Sequence, residues 1–285
     1  MARLVAVVGG SPLARQAVDD LRRQDDLDLS RVLDRDPDGP ADPAWRGVLT
    51  DPAISLVMLC TPAWGRAALA QEAMRHGKAV LLDEPAPSLD ELARLGTTQA
   101  EPPVGVMMPM RQILPAELRA SWTDGACGTL QLARSRPAER YRDPLWSRWG
   151  RSGGEHALIR ILAPYLDLAC QILGAPTRLS VHLDDDRRAS GVVDFDGGGH
   201  LALSATTASP TATARLSLTS RDQSLTVTAD TLTTTGGQWR AIPSLGTLRA
   251  RVYREMSTAI ATRTPLPHSA ATASHGLATI LDAFR

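Results

Sequence analysis

The sequence predicts an α/β fold: an N-terminal Rossmann-type, doubly wound parallel sheet followed by a C-terminal α+β domain with a mostly antiparallel, open sheet. Three observations predict it. Short apolar runs alternate with helical patterns from Leu4 to Met108. After Gly128 the apolar residues recur every second position instead. One long apolar helix, from Glu155 to Leu173, interrupts that second region. The division is expected between residues 1–118, a nucleotide-binding domain, and 119–285, a substrate and oligomerisation domain.

The first strand is the unbroken apolar run Leu4 to Val8, closed by Gly9-Gly10. A helical pattern follows through Leu13, Ala14, Ala17, Val18 and Leu21, and a second strand runs from Leu27 to Leu33 and ends at Asp34. Next come a strand over Ile54 to Cys60, a helix over Ala67 to Arg75, a strand over Ala79 to Leu82, a helix over Leu89 to Leu95 and a strand over Val104 to Met108. Strands that alternate with helices form parallel sheets covered on both faces, and such sheets bind ligands at the carboxyl ends of their strands.

The first turn reads Gly9-Gly10-Ser11-Pro12-Leu13-Ala14. Against the dinucleotide fingerprint G-x-G-x-x-G/A, Gly9 and Ala14 fit and Ser11 stands at the middle glycine, where it crowds the approach of a pyrophosphate. Pro12 removes one N–H from the anion-binding turn. Asp34 is placed to bind an adenosine ribose, and Arg35 could instead meet a 2′-phosphate, so both NAD and NADP stay open as cofactors. A helix start with no ligand is the bland alternative.

In the second region, Leu130 to Arg134, Leu179 to Leu183, Ser190 to Phe195, His200 to Thr206, Ala214 to Thr219 and Ser224 to Thr228 alternate apolar with polar, as half-buried antiparallel strands do. Gly174 caps the long helix. A final helix pair is expected over Leu245 to Ala261 and Ala270 to Phe284. The polar side of the sheet could be a surface for a homodimer or higher homo-oligomer, or a solvated face.

Bulk composition narrows the function. The 285 residues are 43% hydrophobic with a formal net charge of +0, which argues against an electrostatic partner such as nucleic acid or a membrane surface. No DNA-reading helix pair is recognisable, and no apolar run is long enough to span a bilayer. Three widely spaced cysteines, Cys60, Cys127 and Cys170, suggest buried thiols in a cytoplasmic protein, with neither a disulfide framework nor a metal site. Lys78 is the single lysine among 31 basic residues, which reads as the composition of a GC-rich genome.

The order of features resembles the glucose–fructose oxidoreductase / inositol dehydrogenase (Gfo/Idh/MocA) family over nearly the whole chain. The likeness is carried by Asp51-Pro52, Val57-Met58-Leu59-Cys60-Thr61-Pro62, His76-Gly77-Lys78 leading to Val80-Leu81, and the Pro85 that follows. It continues through Gly153-Gly154, Asp167, Leu173-Gly174-Ala175-Pro176, Thr264-Pro265-Leu266 and Ala283. The resemblance implies NAD(P)-dependent redox chemistry on a sugar, cyclitol or related carbonyl compound. It also implies a proton-handling lysine in a Glu-Lys-Pro motif, and an Asp and a His four residues apart on the long helix. Here the lysine position holds Glu84, the Asp position Arg160, the His position Pro164, and a further His position Arg66. The charges of the Lys and Asp positions are exchanged, not erased, so a Glu84–Arg160 ion pair is expected in the old catalytic cleft.

His156, Arg160, Pro164 and Asp167 share one helical face. His156 and Tyr165 are candidate proton carriers beside Glu84, since arginine does not deprotonate. The candidate catalytic set is therefore Glu84, Arg160, His156, Tyr165 and Asp167. Gly9, Gly10, Ser11, Pro12, Leu13, Asp34, Arg35, Thr61, Pro62 and Glu84 are the candidate cofactor contacts. Trp64, Arg66, Arg111, Tyr141, Trp146 and Trp149 are candidate walls of a small-molecule pocket. Arginines suit an acidic or enolisable substrate, so a cyclase, isomerase or dehydratase, or a catalytically silent partner protein, stands beside the oxidoreductase reading.

Overall fold

The structure is a computed structural model that describes residues 2–10, 12–34, 37, 41–61, 63–83, 88–95, 102–114, 122, 125–134, 157–184, 188–264, 266 and 275–283. It divides into two compact units. The first comprises Met1–Met108 with Arg249–His275, and the second comprises Pro109–Asp143, Gly154–Leu248 and Gly276–Arg285; Pro144–Gly153, assigned to the first, lies outside the described residues.

The first unit carries β1 (Arg3–Val8), α1 (Pro12–Leu21), β2 (Leu27–Leu33), α2 (Pro43–Thr50), β3 (Ile54–Leu59), α3 (Ala63–Arg75), β4 (Ala79–Leu82), α4 (Leu89–Leu95) and β5 (Val104–Val106). The five strands are parallel in the order β2-β1-β3-β4-β5. The four residues of β4 are all buried, as are the last four of β1, so these strands read as continuous apolar runs. Asp42 caps α2 by accepting from the Ala44 and Trp45 amides, and Pro43 fills the first helical position, where no N–H is needed. The sequence reading had no helix there.

The second unit holds a one-turn 3-10 helix (Pro109–Ile113), β6 (Cys127–Ala133), α5 (Ala157–Leu173) and β7 (Pro176–Asp184). It continues with β8 (Arg188–Phe195), β9 (His200–Thr206), β10 (Thr213–Thr219), β11 (Ser224–Thr228), β12 (Thr231–Thr234) and β13 (Trp239–Ala241). Its eight strands run β13-β12-β11-β10-β6-β9-β8-β7, antiparallel throughout except for the parallel pair β6–β9. Gly174 ends α5 at φ +91°, and a Cβ there would stand 2.2 Å from an Asp196 oxygen, so glycine is required. Among the described residues two further helices follow, α6 (Leu245–Thr262) and α7 (His275–Asp282).

The compact units differ from the expected 1–118 and 119–285 division in two respects: Pro109–Ile113 already lies in the second unit, and the chain returns to the first near its end. From Arg249 onward α6 belongs to the first unit. Its Val252, Tyr253 and Met256 complete an apolar core with Val5, Val7, Leu56 and Met58. A sequence cut at one position cannot express a helix that returns to the first core.

Candidate functional site

In the first sheet the chain leaves β1 for β2 on one side and returns to β3 on the other. That reversal makes a crevice at the carboxyl ends of β1 and β3, the general ligand position of such sheets. The three strand ends are fastened together. The Gly9 amide donates to the Leu33 carbonyl at 2.9 Å, and the Cys60 amide donates to the Val8 carbonyl at 2.8 Å. Asp34, which follows Leu33, is therefore held beside the Gly9 turn, and it is exposed.

Gly9 has a reason of its own. At φ +134° it lets the turn pass the end of β3, where a Cβ would lie 2.3 Å from the Cys60 carbonyl oxygen. Thr61 comes next on that side. It is 2% exposed, and its hydroxyl has no partner among the described residues. A buried hydroxyl without a partner costs free energy unless something supplies one. Leu13 is buried in the first turn of α1 and serves the core, and Gly10 is half-buried. Ser11, Arg35 and Pro62, and the side chain of Pro12, lie outside the described residues. An exposed carboxylate, a glycine turn opening a helix and a donor hydroxyl at a strand end are the groups that a ribose and a pyrophosphate need.

Along the same edge, at the end of β4, Asp83 is 0% exposed. Its carboxylate accepts from Arg249, Nη1 to Oδ1 at 3.4 Å and Nη2 to Oδ2 at 3.2 Å, and lies 3.6 Å from the Cys60 sulfur. Its carbonyl accepts from Arg66 Nη1 at 2.6 Å. Burial first, and Asp83 second, push the Cys60 thiol well above its ordinary pKa, so it stays protonated.

Arg66 departs from the expectation of a ligand-facing residue. It is 0% exposed and forked onto Glu91, with Nε to Oε1 at 3.0 Å and Nη2 to Oε2 at 3.2 Å. The Glu91 carboxylate also accepts from the Ser88 amide while Ser88 Oγ accepts from the Glu91 amide, a capping box at the start of α4. Arg66 thus joins α3 to α4 and holds Asp83, and it presents nothing to solvent.

In the second unit two further expectations change. Arg111 and Asp167 were separate candidates, one for substrate and one for catalysis. They form a bidentate pair at 2.6 Å on both arms, with both side chains at most 2% exposed. Asp167 is the counter-ion that lets Arg111 be buried, and the pair fastens the Pro109–Ile113 turn to α5. Tyr165, on α5, is buried, and burial raises its pKa, with Arg134 lowering it and Asp230 raising it by smaller amounts. At neutral pH it is a protonated phenol.

Glu84, Tyr141, Trp146, Trp149 and His156, and the side chains of Trp64 and Arg160, fall outside the described residues, as does the expected Glu84–Arg160 pair. Among the described residues no cluster of three metal-ligating side chains occurs. The cysteines are free, and only Cys60 is fully buried; Cys127, at the start of β6, is exposed on the same side of the strand as Thr129 and Gln131. Sequence reasoning missed Asp20, Glu91, Arg249 and Tyr253, all of them buried.

These elements are those of the two-part fold that the Gfo/Idh/MocA resemblance implies: a five-stranded parallel sheet with its switch-point crevice, and a large, mostly antiparallel sheet with one long helix. Comparison with solved structures bears out that fold. A UDP-N-acetylglucosamine 3-dehydrogenase from Acidithiobacillus ferrooxidans superposes with a TM-score of 0.76 at 18% identity, covering 99% of this chain and 96% of its own. An oxidoreductase domain protein from Kribbella flavida gives 0.76 at 18% identity, covering 100% and 97%. A levoglucosan dehydrogenase solved in complex with NADH gives 0.75 at 16% identity, covering 100% and 96%. No protein-family model matches the sequence, and no curated protein matches it. At these identities the likeness is one of fold.

Proposed function

We propose that this chain binds a nicotinamide dinucleotide at the carboxyl ends of β1, β2 and β3 and works as an oxidoreductase on a small-molecule intermediate, of the kind found in specialised metabolism. The observation that carries the reading is the arrangement around Gly9: the exposed Asp34 carboxylate beside the turn and the buried Thr61 hydroxyl at the switch point, which has no partner among the described residues. Structural neighbours of the same fold support it, one of them with NADH in its complex. Asp34 would accept the two ribose hydroxyls and repel a 2′-phosphate, which favours NAD over NADP. The helix start at Pro12 would face the pyrophosphate, and Thr61 would donate or accept at the nicotinamide half. When bound, the dinucleotide supplies or accepts hydride. The proton would come from Glu84, His156 or Tyr165.

A second reading is favoured by a specific observation. Arg66, at a position where the family resemblance implies a working histidine, is taken up in a buried pair with Glu91 and holds the carbonyl of Asp83, the residue before Glu84. A chain that spends that position on structure suits a non-redox cyclase, isomerase or dehydratase, or a silent partner protein, using the same edge.

A second copy of the chain is the proposed macromolecular partner. The strand pairings put Trp239, Thr233, Thr226, Ser217, Thr129 and Val192 in one row across the outer face of the second sheet. That row has no ionisable side chain, and it contains two of the exposed large hydrophobic residues, Trp239 and Val192. Three unpaired cysteines support a cytoplasmic setting, and no helix among the described residues is long and apolar enough to cross a membrane.

The test is a fluorescence titration of the protein with NADH and NADPH. NADH is expected to bind more tightly, and Asp34→Ala to weaken it by roughly ten- to a hundredfold, the worth of hydrogen bonds to a charged group. If neither nucleotide binds the wild-type protein, the redox reading is lost and the second one stands.

A further inference from the structure

We infer that Arg249 is a positioning residue that ties the helix behind the Gly9 turn to Asp83 at the end of β4, so that nucleotide binding at the turn is transmitted to that strand end. The inference rests on the nucleotide reading above and adds a role for a residue which that reading does not use.

Arg249, on α6, is 2% exposed. Its guanidinium holds two carboxylates from different elements at once. Nε donates to Asp20 Oδ2 at 2.6 Å, and Nη1 and Nη2 donate to Asp83 at 3.4 and 3.2 Å. Nη2 also reaches the Tyr253 hydroxyl at 3.3 Å, and that hydroxyl in turn donates to the Met58 sulfur at 3.5 Å. Asp20 is 6% exposed and also meets Arg23, at 3.8 Å on the surface. A planar fork with donors on three edges can satisfy this geometry, whereas an ammonium cannot hold both carboxylates in fixed orientation.

The placement of the partners gives the bridge its meaning. Asp20 is the penultimate residue of α1, the helix whose first turn opens directly after Gly9-Gly10. A ten-residue helix moves as a rigid element, so a shift at its first turn appears at Asp20. Asp83 is gripped twice, by Arg249 at the carboxylate and by Arg66 at the carbonyl. The residue just before Glu84 is therefore fixed from both sides, one grip leading to α1 and the other to α3 and α4. Neither arginine needs to touch a ligand for this role.

Hydrogen exchange of the full chain, with and without saturating NADH, tests it. The variants are Asp20→Ala, which breaks the link at α1, and Arg249→Lys, which keeps a cation beside Asp83 and removes the fork. In the wild type NADH should slow exchange in the α1 peptide and in the peptide containing Asp83. In either variant it should still slow α1 but no longer slow the Asp83 peptide, which should exchange roughly tenfold faster than in the wild type. Slowing of both peptides in the variants overturns the inference. Loss of slowing at α1 as well does so too, because the bridge would then serve binding itself. If neither NADH nor NADPH slows exchange in the wild type, the nucleotide reading fails and the tie is judged without ligand. Faster exchange confined to the Asp83 peptide upholds it, and unchanged or uniformly faster exchange, including at β5, rejects it.

Discussion

Replacing Asp167 by asparagine separates a structural role from a chemical one. The carboxylate meets Arg111 at 2.6 Å on both arms, and the two side chains are 1% and 2% exposed. Removing the charge leaves a guanidinium buried beside an amide. Breaking such a pair costs about 3–5 kcal/mol, because the surviving ion keeps its desolvation penalty without its partner. For a protein of this size, each kcal/mol moves the midpoint by about 2–4 °C, so Asp167→Asn should lower Tm by roughly 6–20 °C. The double variant Arg111→Met/Asp167→Leu removes both charges and should recover most of that loss. Calorimetry on the four proteins of this double-mutant cycle gives the coupling directly. A Tm within 2 °C of wild type for Asp167→Asn, or losses that simply add in the double variant, would refute the structural assignment and return Asp167 to the list of candidate bases.

Four further outcomes are expected. In the native protein a thiol reagent should modify exposed Cys127 first and leave buried Cys60 untouched until unfolding; rapid labelling of Cys60 would contradict the closed edge at Asp83. Burial raises the Cys60 and Tyr253 pKa values above 9.0 and 10.0, so their protons stay on in the folded state after the unfolded chain has lost them. Stability from both is full below about pH 9 and falls as pH rises beyond it, which urea titrations between pH 8 and 11 should show as a falling midpoint. Gly9→Ala places a Cβ 2.3 Å from the Cys60 carbonyl at φ +134° and should cost about 2 kcal/mol or more, with loss of nucleotide binding; a neutral result would mean that the turn is looser than described. Thr129→Arg puts a charge in the middle of the uncharged row on the second sheet and should convert the proposed homo-oligomer to monomers by sedimentation; an unchanged sedimentation coefficient would remove that row as the proposed contact.

The elements that were legible in the sequence are those with a strong local signal. β1 and β4 are continuous apolar runs, α5 has its apolar stripe and terminal glycine, and β8 to β10 keep period two. Helix α2 was missed although Asp42-Pro43 is a good start signal, because it sits behind a turn-rich stretch from Asp34 to Pro43 and spans only eight residues. The place of Gly9, Asp34 and Thr61 at the ends of β1, β2 and β3 was legible because it depends on local order. The charged core was not. Arg249 finds Asp83 across 166 positions, and Arg111 finds Asp167 across 56. Nothing local distinguishes such an arginine from one in solvent. Arg66 and Asp167 were assigned to ligand chemistry because charged residues at strand ends and on a long helix read as functional. Burial with a partner gives the same residues a structural reason to exist.

A structure of the protein crystallised with NADH would test most directly whether this edge, with Ser11 and Pro12 in its turn, still holds a dinucleotide. The account predicts the adenosine ribose hydroxyls on Asp34, the pyrophosphate at the start of α1 and the nicotinamide half beside Thr61. Density for the nucleotide elsewhere, or an Asp34 carboxylate facing only solvent with NADH bound, would contradict it.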